Sequence, residues 1–92
     1  MSGERRTITI VNERGLHARA SAKLVEVASR WPETTKIRVA KEDRVVDGRS
    51  ILDLMMLGAA RGDEIALIVE GEDAPAAMAE LAELVEAGFG EE

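Results

Sequence analysis

The sequence predicts an α+β fold in which one mostly antiparallel sheet carries helices on a single face. Alternating, β-branched segments are interspersed with segments whose apolar residues recur at three- and four-residue spacing, in the order β-α-β-β-α-β-α. In so short a chain these strands are expected to share one sheet. The second face of that sheet is expected to meet solvent, because alternate strand positions carry the polar residues Thr7, Thr9, Lys36 and Arg38.

The first strand is predicted from Thr7 to Val11, where every residue is β-branched and Ile8 and Ile10 face inward. Residues 12–15 turn the chain, and a helix begins at Ala18. Pro32 lies just beyond the last turn of that helix and ends it. The predicted buried face of the helix comprises Ala20, Leu24, Val27, Ala28 and Trp31.

The middle of the chain predicts a hairpin followed by a short helix. Residues 36–40 alternate charged and apolar side chains, 41–43 form a polar turn, and 44–46 return as a shorter strand that ends before Asp47. Ser50 to Leu57 lacks strict alternation and stops at Gly58, which favours a helix. Ser50 and Asp53 have capping-box spacing, in which the hydroxyl accepts a backbone N–H and the carboxylate reaches back.

The last strand and the last helix have the clearest patterns. Glu64 to Glu70 predicts a strand, and the following helix has Asp73 as its expected cap and Pro75 in its first turn. Glycines at positions 88 and 90 end this helix. Its predicted apolar positions are Ala74, Ala77, Met78, Leu81, Leu84 and Val85. Since no linker or repeat interrupts the pattern, residues 1–92 predict a single domain.

Composition argues against several kinds of function. The chain has no cysteine, and its one histidine and scattered carboxylates show no metal-ligand spacing, so neither a metal nor another cofactor is expected. A net charge of −6 disfavours nucleic acid, and the two aromatic residues, Trp31 and Phe89, disfavour base stacking and aromatic ligand pockets. No apolar run reaches the length of a membrane span, so we expect a soluble cytoplasmic protein without a membrane partner.

His17 lies where the first predicted strand gives way to the first helix. A neutral imidazole there can attack phosphorus, and the N–H groups and positive dipole end of the helix can hold the phosphoryl group. Arg19 adds a guanidinium able to contact phosphate oxygens in a forked geometry. The alternatives are a histidine that merely satisfies a helix end and an arginine paired with an acidic helix. Arg14 either adds positive potential near His17 or is a solvated turn residue.

Three segments resemble those of a known family. Gly15-Leu16-His17-Ala18-Arg19 resembles the active-site signature of the HPr family, the histidine-containing phosphocarriers of the phosphoenolpyruvate-dependent phosphotransferase system. Residues 49–58 are similar to the second segment of the family, and residues 59–65 to its turn into the last strand. The agreement extends from about Thr7 to Gly88. It implies an HPr-like open-faced β-sandwich, with a four-stranded antiparallel sheet and three helices on one face.

The resemblance also implies functional residues. His17 corresponds to the phosphorylated histidine, which accepts at Nδ1 in the family, although the sequence itself does not choose between the ring nitrogens. Arg19 corresponds to the accompanying arginine, and Ser50 to a regulatory serine that HPr kinase/phosphorylase modifies in many bacteria. Many members have proline after the arginine, where this chain has Ala20. That difference affects the start of the helix and not the phosphate contact.

The short helix carries more large apolar residues than one face of it can bury. They could simply be core, but the resemblance favours an exposed patch beside His17 where several partners dock, and methionine suits such a surface. The expected docking residues are Ala18, Ile51, Leu52, Met55 and Met56.

Together, the residues and the resemblance predict a monomeric phosphocarrier. It would accept a phosphoryl group from phosphoenolpyruvate through enzyme I on His17 and pass it to an enzyme IIA-type domain, as a stoichiometric carrier and not as an enzyme. One alternative is a regulatory module of nitrogen or carbon control that signals through its phosphorylation state. Another is a small-molecule-binding domain with a bystander histidine. The sequence indicates neither a sugar nor a regulatory pathway downstream.

Overall fold

A computed structural model describes residues 3–91 of the chain. Four antiparallel strands form one sheet in the order β1-β4-β2-β3. The strands are β1 (Gly3–Thr9), β2 (Lys36–Lys41), β3 (Arg44–Asp47) and β4 (Glu64–Glu70). The helices are α1 (Ala18–Ala28), α2 (Ile51–Met56) and α3 (Ala74–Glu86), and a 3₁₀ turn at Gly88–Gly90 follows α3. The predicted α+β order and the four-stranded antiparallel sheet are therefore confirmed.

The hydrophobic core lies between the sheet and the three helices. One face of the sheet is buried against helix residues that include Leu24, Leu54 and Leu81. The strand residues in this core are Ile8, Ile37, Val39, Ile65, Leu67 and Val69. The opposite face is polar and exposed at Thr7, Thr9, Lys36 and Arg38, as predicted. Burial of one face alone leaves the sheet open on the other side.

The first strand lies earlier in the sequence than its hydrophobic pattern predicts. It covers Gly3–Thr9 instead of residues 7–11, because it pairs along the full length of β4, from Gly3 opposite Glu70 to Thr9 opposite Glu64. The polar side chains at its start do not oppose pairing on the exposed edge of a sheet. Ile10 lies beyond the strand, yet its side chain is buried, so the inward orientation predicted for it is confirmed.

The side chains of Trp31 and Leu84 are less buried than their helical spacing predicts. Trp31 lies beyond α1, which ends at Ala28, and it is half-buried, with its indole N–H donating to Glu80 on α3 at 3.0 Å. A buried indole requires such an acceptor. On α3, Leu84 is also half-buried, whereas Ala82 is fully buried in the core.

The helix caps are confirmed in part. Ser50 Oγ accepts the backbone N–H of Asp53 at 3.1 Å, but the return half of the capping box does not form, because the Ser50 N–H donates to the Asp47 carbonyl at 3.2 Å. Asp47 itself belongs to β3. Asp73 is the N-cap residue of α3, as predicted, but its side chain makes no cap hydrogen bond. Its backbone is not in the extended conformation usual for a cap, whereas Pro75 lies in the first turn as expected.

Candidate functional site

His17 is the N-cap of α1. Its backbone is extended, at φ −74° and ψ −178°, and its carbonyl accepts the first intrahelical hydrogen bond, from the Ser21 N–H at 2.9 Å. The Nδ1 atom of its ring accepts the backbone N–H of Arg19 at 3.3 Å. The predicted placement of His17 at a helix start is confirmed, and Nδ1 is the ring nitrogen that faces the first turn.

A close backbone contact holds this helix start in place. Gly15 has φ +64°, and the Leu16 N–H donates to the Ala59 carbonyl at 3.0 Å. A Cβ atom at position 15 would lie 2.2 Å from that same carbonyl oxygen. Glycine is therefore required both for the left-handed conformation and for the close approach. The contact ties the loop before His17 to the chain just after α2.

Glu91 contacts the second nitrogen of the His17 ring. Its Oε2 atom lies 2.7 Å from Nε2, although the two residues are 74 positions apart. The pair is mostly shielded, with side-chain exposures of 24% for His17 and 20% for Glu91. Sequence reasoning missed Glu91. No local motif marks it, and only the folded chain brings it to the ring.

Asn12 supports the Glu91 carboxylate. Its buried side-chain amide donates to the Gly15 carbonyl at 2.9 Å and to Glu91 Oε1 at 3.1 Å. Burial raises the pKa of Glu91, but the hydrogen bonds from Asn12 and His17, together with the charges of His17 and Lys23, lower it by more. The pKa of Glu91 is consequently below its ordinary value, and the group is a carboxylate near neutral pH.

Arg19 and Ala18 are exposed on the first turn of α1. Together with His17, Glu13, Arg14 and Glu91, they line an open depression of about 490 Å³. Within residues 3–91 Arg19 makes no ion pair, so the alternative of a pairing with an acidic helix is not observed there. The guanidinium groups of Arg14 and Arg19 therefore line the same depression as the His17 imidazole. A negatively charged group entering the depression would meet these two guanidinium groups together with the carboxylates of Glu13 and Glu91.

The short helix α2 exposes the apolar residues that the sequence singled out. The side chain of Leu54 is fully buried, whereas Leu52 and Met56 are 67% and 58% exposed. Ile51 and Met55 are each 41% exposed. Because α1 packs against α2, the patch of Ile51, Leu52, Met55 and Met56, called the α2 patch below, lies on the helix next to the one that His17 begins. The exposed alternative is therefore correct, and the core alternative is wrong for these four residues.

The part of the chain that the structure describes contains no group of three or more histidine, cysteine, aspartate or glutamate side chains arranged to hold a metal ion. Within those same residues, no helix is long and apolar enough to cross a membrane.

The fold and the site define a small α+β protein that presents one histidine at the start of a helix. Residues 4–87 match the family model described as the PTS HPr component phosphorylation site. Phosphocarrier protein HPr of Pseudomonas putida is 46% identical over 86 residues, which cover 94% of each chain. The chain belongs to the HPr family of phosphocarriers of the phosphotransferase system.

Solved structures agree with this assignment. A crystal structure of HPr-C-His from Thermoanaerobacter tengcongensis superposes with a TM-score of 0.89 at 39% identity, over 97% of this chain and 98% of that one. A crystal structure described as an HPr dimer from the same organism has a TM-score of 0.74 at 39% identity and covers 91% of this chain and 94% of that one. The open-faced fold implied by the sequence resemblance is therefore confirmed.

Proposed function

We propose that His17 accepts a phosphoryl group at Nδ1 from phosphoenolpyruvate through enzyme I and passes it to an enzyme IIA-type domain. Membership of the HPr family supports the proposal. The observation that carries it is the placement of Nδ1 against the first turn of α1, at 3.3 Å from the Arg19 N–H. The proposed donor is a cytoplasmic metabolite, so the proposal implies a cytoplasmic carrier.

The surroundings of Nδ1 suit a phosphoryl group that is held and then released. The N–H groups of the first helical turn have no intrahelical acceptors, and the N–H of Arg19 that now contacts Nδ1 could donate to a phosphoryl oxygen. The exposed Arg19 guanidinium adds positive charge beside them. In phosphoryl transfer, such positioning and charge stabilisation perform most of the catalytic work. No enclosed pocket traps the group, so it stays open to the next acceptor.

The proposed docking surface combines Ala18 with the α2 patch. Large exposed apolar side chains next to a reactive group favour contact with partner proteins, and methionine adapts to several of them. Enzyme I and IIA-type domains are the proposed partners, each bound in turn by a monomer of this chain. The HPr dimer from Thermoanaerobacter tengcongensis makes the oligomeric state worth measuring, by light scattering after size-exclusion chromatography.

Ser50 is proposed as a regulatory phosphorylation site for an HPr kinase/phosphorylase. Its hydroxyl lies at the start of α2, directly before the patch, where a phosphate would add negative charge beside apolar docking residues. The carboxylate of Asp53 nearby would oppose that phosphate by repulsion. The test is incubation of the chain with such a kinase and ATP, with Ser50→Ala as the control. Equal phosphate incorporation into both proteins would refute the assignment.

The carrier proposal is tested with phosphoenolpyruvate and enzyme I. We expect one acid-labile phosphate per chain, which marks a stoichiometric carrier, and none in His17→Ala. Arg19→Ala is expected to accept phosphate more slowly while its fold is unchanged, because its side chain is exposed and makes no ion pair within residues 3–91. Failure of the native chain to take up phosphate, or uptake by His17→Ala, would overturn the proposal.

A further inference from the structure

The segment that follows α3 contacts the His17 ring through the carboxylate of Glu91. Glu91 Oε2 lies 2.7 Å from Nε2. We infer that Glu91 is a positioning residue, which keeps the ring proton on Nε2 and so leaves Nδ1 unprotonated. The inference rests on the proposed function, because it explains how His17 is prepared as a phosphoryl acceptor.

Two independent contacts require the same protonation state of the His17 ring, with the proton on Nε2 and none on Nδ1. A carboxylate only accepts hydrogen bonds, so Nε2 must carry the proton that it donates to Glu91. A backbone N–H only donates, so Nδ1 must be unprotonated to accept from Arg19 at 3.3 Å. In a neutral imidazole, a proton on one nitrogen leaves the other free. The contact of Glu91 and the contact of Arg19 therefore select the same nucleophilic atom.

The position of the carboxylate is set by several parts of the fold. Asn12, which is 5% exposed, donates to the second carboxylate oxygen at 3.1 Å. The ammonium group of Lys23 on α1 donates to the Phe89 carbonyl at 2.7 Å, and the Phe89 ring is buried in the core. The Glu91 N–H donates to the Gly88 carbonyl at 3.0 Å. Since Asn12 and Lys23 hold this turn and its carboxylate from two other segments, and the turn itself adds a local hydrogen bond, the carboxylate is preorganised beside the ring.

The same contact suits the transfer step. The Nδ1 lone pair forms the new N–P bond while the bond between phosphorus and the atom that carries it on phosphorylated enzyme I breaks, and the electron pair of that bond stays with the enzyme I atom. The proton stays on Nε2, and the ring gains positive charge. Glu91 faces that charge directly, and Arg14 and Arg19 line the same depression. A carboxylate that orients a histidine and balances its charge is a familiar catalytic arrangement.

The direct test is nitrogen-15 NMR of the His17 ring in the full chain, at a pH where the ring is neutral. The native chain should show the proton on Nε2, exchanging with water at least about tenfold more slowly than in Glu91→Leu, because a hydrogen bond protects it. Glu86→Gln is the matched control. It removes the same charge from the exposed end of α3, and Glu86 has no hydrogen bond to His17. A native ring protonated on Nδ1, or equal exchange in the native chain and Glu91→Leu, would overturn the inference.

The second test is the rate of phosphoryl uptake from phosphorylated enzyme I. Glu91→Gln keeps the shape of the side chain and loses its charge, so its uptake should fall about tenfold, the lower end of the range found when a partner that orients a metal-bound histidine is removed. Glu86→Gln should keep the native rate. Equal rates in native chain and Glu91→Gln would contradict the role in transfer. If the native chain takes up no phosphate, the proposed function fails, whereas the NMR measurement still decides the role of Glu91.

Discussion

Gly15→Ala tests whether the backbone contact before His17 holds the site together. The new Cβ would lie 2.2 Å from the Ala59 carbonyl oxygen and 2.8 Å from the Cα of Ala60, so two backbone segments would have to separate. Separation breaks the 3.0 Å hydrogen bond from the Leu16 N–H, and a buried unpaired donor costs about 1–3 kcal/mol. The left-handed conformation at φ +64° adds about 1–2 kcal/mol for alanine. The expected loss is thus about 2–5 kcal/mol of unfolding free energy.

Gly58→Ala is the matched control for this prediction. Gly58 has nearly the same backbone angle, φ +66°, but no atom lies within 4 Å of a Cβ built on it. It should therefore lose only the conformational share, about 1–2 kcal/mol. In urea, with a slope of about 1 kcal/mol per molar, the midpoint of Gly15→Ala should lie about 1–3 M below that of Gly58→Ala. Equal midpoints for the two variants would refute the steric argument.

Three further outcomes follow from single contacts. Ser50→Ala should lower the unfolding free energy by about 1 kcal/mol, because it removes the hydroxyl that accepts the Asp53 N–H; an unchanged urea midpoint would contradict this role. Leu54→Ala should cost about 2–5 kcal/mol in the same assay, whereas Leu52→Ala should change stability by less than about 0.5 kcal/mol, because Leu54 is fully buried and Leu52 is 67% exposed. The pKa of Glu91 is lowered in the folded state, so its carboxylate stabilises the fold above its ordinary pKa of 4.5, and this contribution is lost as the pH falls through the folded value. Glu91→Gln should therefore reduce the decline of stability below about pH 5, measured by urea unfolding at several pH values, and a decline as steep as in the native chain would contradict the assignment.

The apolar pattern of the sequence is sufficient to predict the bounds of an element that is buried along most of its length. The strand Glu64–Glu70 has the bounds that the sequence predicts, because it is one of the two inner strands of the sheet and most of its residues are buried. The extent of β1 could not be predicted in this way. Its length follows from pairing with β4, and backbone pairing on an edge strand tolerates polar side chains that an apolar pattern does not mark.

The sequence by itself determined the element order, the chemical type of the site and the place of His17 at a helix start, since each depends on residues close together in the chain. Tertiary structure alone decided which ring nitrogen is engaged by which partner. Glu91 lies 74 residues from His17, and no local pattern predicts that their side chains meet. It also decided the exposure of the α2 patch, because one helix face can be buried against the core and Leu54 occupies it. Local order is thus set by short-range preferences, whereas the partners of a reactive group are set by how distant segments pack.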